Sequence, residues 1–141
     1  MSTPPEGPTE AIARRVTALR QRKGLTRQQL GEAMAERGVE WNRFTVSSLE
    51  NGKRQNVTVV ELLALARVLD VAPVHLFVPL EDDQPYRVTP KETLPAHRIR
   101  PWVRGIAPLP GMDSRIFSTE VPLAELRAWS GEERPVPPEE A

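Results

Sequence analysis

The sequence contains no cysteine. That excludes a disulfide framework, a thiolate zinc site and a cysteine nucleophile. Histidine is almost as scarce, with only His75 and His97, too few for a histidine-based metal centre. No apolar run approaches the roughly 20 residues of a membrane span. The opening MSTPPEGPTE is polar and acidic and has no secretory signal. A cytoplasmic chain with no membrane partner is expected. Ser47 and Ser48 have no base at triad-like spacing, so neither is an activated nucleophile. Glu81-Asp82-Asp83 is followed by no further ligands at calcium-loop spacing. The chain is therefore expected to be no enzyme and to hold no cofactor and no metal.

Net charge is also missing, but only as a sum. Residues 1–10 carry −2, residues 11–78 carry +5 and residues 79–141 carry −3. The middle segment has its own positive field, which suits a polyanion as well as a plain solvated surface. Proline is the residue in excess, 15 of 141 against a usual share of roughly 5%. Three prolines fall in residues 1–8, one is Pro73, and eleven lie in 79–141. Proline is excluded from helix interiors, so its absence from 9–72 marks a helical domain over residues 9–78. A disordered arm, 1–8, is expected before it. After it come a linker, 79–95, a partly ordered segment, 96–129, and a disordered tail, 130–141.

Helix signals fill the domain. Thr9 precedes Ile12, Val16 and Leu19, which share one helix face, and Gly24 stands at the end as a C′ residue. Thr26 and Gln29 have capping-box spacing, flanked by Leu25 and Leu30 as a staple. This second helix stops near Gly38. Asn42 caps a third, stapled by Trp41 and Val46 and ended by Asn51-Gly52. Thr58 and Glu61 open a fourth, and Pro73 starts a short fifth ending near Phe77. Five helices without a strand pattern predict an all-α domain.

The third helix is the element that carries chemistry. With Val46 and Leu49 turned inward, its outer face holds Arg43, Phe44, Ser47 and Ser48, followed by Asn51, Lys53 and Arg54. A helix about 10–12 Å across fits a DNA major groove about 12 Å wide. Arginine forks onto guanine, phenylalanine meets a thymine methyl and serine reads either base type.

Three strings make this specific: LRQRKGLTRQQL, the third-helix core with SLENGKR, and VVELLALARVLDVAPVHLF. Together they resemble the Cro/C1-type (XRE family) helix-turn-helix regulators, over about residues 10–78. The resemblance implies a five-helix, lambda repressor-like domain and a double-stranded DNA partner. It implies base contacts from Arg43, Phe44, Ser47 and Ser48. It implies phosphate contacts from Arg27, Gln29, Asn51, Lys53 and Arg54, and a structural ion pair between Arg20 and Glu50. A homodimer acting as a repressor is the expected form. The link 35–41 is longer than the tight turn usual in that family, and the proline-rich tail is similar to that of actinobacterial members.

Residues 96–129 are less polar than their flanks, with Trp102, Ile116, Phe117, Leu123, Leu126 and Trp129. Disordered tails seldom hold two tryptophans and so many aliphatics. Pro122 is placed to open a short helix to Ala128. The region is otherwise expected to be largely irregular, either loosely ordered or a docking segment. In the second case the chain is an antitoxin-like or accessory module with a protein partner bound through 96–129.

Overall fold

A computed structural model describes residues 4–129. The chain divides after His97 into two compact units. The first contains α1 (Pro8–Arg22), α2 (Arg27–Glu36), α3 (Arg43–Glu50), α4 (Val59–Leu69) and α5 (Val74–Phe77). An antiparallel hairpin, β1 (Pro85–Thr89) and β2 (Glu92–Pro95), follows.

Local chemistry accounts for the helix limits. Thr26 Oγ1 accepts the Gln29 N–H at 3.0 Å, and Gln29 Oε1 accepts the Thr26 N–H at 2.9 Å. Thr58 and Glu61 exchange the same two bonds at 3.1 and 2.9 Å. Asn42 Oδ1 takes the N–H groups of Phe44 and Thr45. Each cap of this kind contributes about 1 kcal/mol. The left-handed turn after α4 is made by Asp70 at φ 57°. The first helix begins earlier than Thr9: Gly7 is its N-cap and Pro8 its first residue, with no side-chain cap. Proline lacks the N–H that a first-turn cap would have to satisfy.

The inward residues Ile12, Val16, Leu19, Leu30, Met34, Val46, Leu49, Leu65, Leu69 and Leu76 form one core, with Trp41 at its margin. One glycine sets how closely α2 and α3 approach. A Cβ on Gly31 would lie 2.7 Å from the carbonyl carbon of Asn42. No other residue lets the α3 cap lie against α2 at that distance. The six residues between the two helices, longer than a tight turn, are accommodated by Gly38 at φ +84°.

The all-α expectation is corrected by the hairpin, and the 79–95 linker with it. Residues 85–89 and 92–95 pair as strands. Their prolines mislead because each stands where a sheet tolerates one: Pro85 opens β1, Pro95 closes β2, and Pro90 is in the turn. Pro90 and Lys91 form that two-residue turn. Neither has positive φ, so the turn is not the primed type usual in hairpins. The register slips between Arg87 and Thr89 instead, leaving Val88 as a bulge that restores strand twist. The arm expected to be disordered is also engaged from Pro5 on. Glu6 bridges to Tyr86, and its carbonyl accepts the Arg87 N–H at 2.8 Å. Residues 1–3 and the tail 130–141 lie outside the described residues.

From Ala96 on the largely irregular expectation is also corrected. α6 (Ala96–Val103), α7 (Ser114–Thr119) and α8 (Leu123–Trp129) are helical. Asp113 caps α7 by accepting from the Arg115 and Ile116 N–H groups, and Pro122 stands just before α8. Within this unit Met112, Ile116, Phe117 and Val121 line an apolar groove of about 400 Å³. Among the described residues no helix is long and apolar enough to cross a membrane.

Candidate nucleic-acid interface

The amino end of α2 and the outer face of α3 meet in one open groove of about 640 Å³. Its lining includes Arg27, Arg43, Phe44 and Ser47 together with Thr26 and Gln28. Phe44 is 67% exposed, an unusual state for an aromatic on a core-packed helix. The Arg43 guanidinium lies 4.8 Å from its ring centroid. That contact pre-orders a cation on the surface of the helix. Neither Arg43 nor Lys53 has a carboxylate partner among the described residues. Ser48 is half-buried on α3, and its carbonyl takes the N–H groups of Lys53 and Arg54. This folds the following loop back against the helix end and keeps Asn51 and Lys53 exposed.

Arg20 and Glu50 tie α1 to α3. Arg20 Nε and Nη2 donate to the two carboxylate oxygens at 2.7 and 3.0 Å, and Nη1 donates to the Leu25 carbonyl at 2.9 Å. The Glu50 side chain is 2% exposed and that of Arg20 10%. Arg27 adds a third contact, Nε to Glu50 Oε1 at 3.1 Å. Burial alone would raise the Glu50 carboxyl, but the hydrogen bonds from Arg20 and Arg27 outweigh it and hold its pKa below the ordinary value. The same carboxylate thus fixes the angle of α3 and holds Arg27 at the groove rim.

Not every cation of the middle segment is available to a polyanion. Arg54 pairs with Glu61 at 3.1 Å and lies 5.2 Å from the Trp41 ring centroid. It stands in a wall rather than at an open surface. Gln29 has its Oε1 committed to the α2 cap. Arg14 binds Glu6, Arg15 binds the His75 carbonyl, and Lys23 binds Asp70 and the Val68 carbonyl. Sequence reasoning missed the part played by Glu61, read only as a capping residue. It accepts from Trp41 Nε1 at 2.8 Å, from the Thr58 N–H and from Arg54. Burial would raise its carboxyl, and these donors together bring it below the ordinary value. No spacing rule connects Trp41, Arg54 and Glu61. Gln28 and Thr26 as groove residues were legible only as the start of α2.

Residues 11–76 match the helix-turn-helix domain family. That stretch of the first unit is thus a helix-turn-helix domain, and the hairpin lies beyond the matched residues. The chain is also similar to a solved structure, the restriction-modification controller protein C.AhdI from Aeromonas hydrophila. The identity is 33%, covering 49% of this chain and 96% of that chain, with a TM-score of 0.42. No curated protein matches the sequence.

Proposed function

We propose that this chain is a sequence-specific, non-enzymatic DNA-binding transcriptional regulator that reads the major groove with α3. The observation that carries this reading is the exposed Arg43–Phe44 pair in the same open groove as the amino end of α2. Arg43, Phe44, Ser47 and Ser48 meet base edges. Asn51 and Lys53 meet phosphates, and Arg27 and the first-turn N–H groups of α2 meet the backbone on the other flank. Gln29 and Arg54 have weaker claims, because the α2 cap and Glu61 engage them. Repression is the expected direction, since a protein seated on a promoter blocks polymerase without further parts. A cytoplasmic location goes with this role.

Selection from a random duplex pool gives the site, and shift assays on single-base variants test the roles. Arg43→Ala costs about 1–3 kcal/mol and relaxes one base position. Lys53→Ala weakens all sequences alike and lowers the salt slope by about one. Equal, sequence-independent losses for both would refute the division.

An eight-residue helix touches few base pairs, so affinity calls for a second copy on a near-palindromic site, with half-sites about 34–36 Å apart. The apolar groove of the second unit, with Ile116 67% exposed, offers that copy a surface. Sedimentation of Ile116→Asp is the check, and a fall from dimer to monomer is expected. A wild-type dimer that Ile116→Asp leaves intact would turn residues 96–129 over to the second reading, an antitoxin-like or accessory module that binds another protein.

A further inference from the structure

We propose that the tip of the β1–β2 hairpin is a second contact for the DNA backbone, outboard of α3, with Lys91 as its cation. This rests on the DNA-binding reading above. The tip, the loop after α3 and the start of α1 line one groove of about 360 Å³. Gly52, Arg54 and Gln55 come from the loop, Arg87, Thr89 and Pro90 from the hairpin, and Pro8, Thr9, Glu10 and Ala13 from α1. Lys53 belongs to that loop and Lys91 to the hairpin turn. A strand that passes the loop after α3 and continues over this groove would meet the hairpin tip next.

The tip has the chemistry for that contact. Lys91 is exposed and has no carboxylate partner among the described residues. Its backbone N–H is held by Thr89 Oγ1, and the adjacent Glu92 accepts from the same hydroxyl. The acid that lines the groove, Glu10, is held by Arg87 at 2.6 Å, which offsets its repulsion of a phosphate.

The hairpin is also held in place against α1 and α5. Tyr86 in β1 is 1% exposed, and its hydroxyl donates to the Phe77 carbonyl at the end of α5. Arg87 donates to the Pro5 carbonyl and to Glu10 of α1. Pro90 restricts the turn. A phosphate contact from an element already anchored loses little conformational entropy on binding. The same anchoring keeps Pro5 and Glu6 bound to β1.

The test uses the full chain, a duplex recovered by random-pool selection, and a scrambled duplex of the same length. Lys91→Ala should weaken both duplexes several-fold and equally, lower the salt slope by about one and leave the melting temperature unchanged. Lys91→Glu should lose more. Ethylation interference should show one sensitive phosphate that Lys91→Ala abolishes and Lys53→Ala does not. Unchanged affinity and slope in both Lys91 variants, with Lys53→Ala still impaired, would overturn the hairpin contact and leave the regulator reading standing. A wild-type chain that prefers no duplex over another would overturn both.

Discussion

Removing the Arg20 side chain is the sharpest perturbation the fold offers. Arg20→Ala deletes two charge-assisted hydrogen bonds to Glu50 and one to the Leu25 carbonyl. It leaves a carboxylate that is 2% exposed with Arg27 as its one remaining cation, at 3.1 Å. Breaking a buried pair by removing one partner typically costs about 3–5 kcal/mol. The surviving Arg27 contact places this case near the lower end, about 3 kcal/mol. A small helical domain melts roughly 4–8 °C lower per kcal/mol, so a fall of roughly 12–24 °C is expected in a calorimetric or circular-dichroism melt. Arg20→Met with Glu50→Leu removes both charges and fills the space. Much of the loss should then be recovered, because the desolvation cost of the pair disappears with the pair. DNA affinity should fall with Arg20→Ala even well below its melting temperature, since the angle of α3 depends on this tie. A melting point within a degree or two of wild type would refute the reasoning and reduce the pair to a surface contact.

Three further outcomes are expected. Gly31→Ala puts a methyl 2.7 Å from the Asn42 backbone and must spread α2 from α3. A loss of about 1–3 kcal/mol in chemical denaturation, with impaired DNA binding, should follow. Tyr86→Phe keeps the packing and deletes the hydrogen bond to the Phe77 carbonyl; a cost of about 1 kcal/mol by denaturation would show that the hairpin shares the folding unit of the helices. Acid should unfold the domain through Glu50 and Glu61, both with folded pKa values below the ordinary one. Their stabilisation is complete above the unfolded value of about 4.3 and is lost as pH falls through the lower folded values. A melting temperature that is flat from pH 7 to about pH 5 and then declines is expected, with Glu50→Gln flattening the decline.

The amino-acid sequence by itself determined the five helices, the side-chain caps of α2, α3 and α4 and the outward face of α3. Each of these is set by neighbours within about four residues. The Thr26–Gln29 and Thr58–Glu61 boxes and the inward stripe Ile12, Val16, Leu19 are short-range patterns that need no partner from elsewhere. The hairpin was hidden for a related reason. Its prolines signal breakage at short range, while what holds it is remote: Tyr86 against the end of α5 and Arg87 against Glu10, 77 residues away in sequence. The middle segment's charge shows the same split. The +5 surplus was legible as a number, but its destination was not. Only tertiary contacts turned Arg54 toward Glu61, Arg14 toward Glu6 and Lys23 toward Asp70, while Arg43 and Lys53 stayed uncompensated by any described carboxylate. A charge pairs with whatever the folded chain brings within a few ångströms, and sequence distance carries almost no information about that.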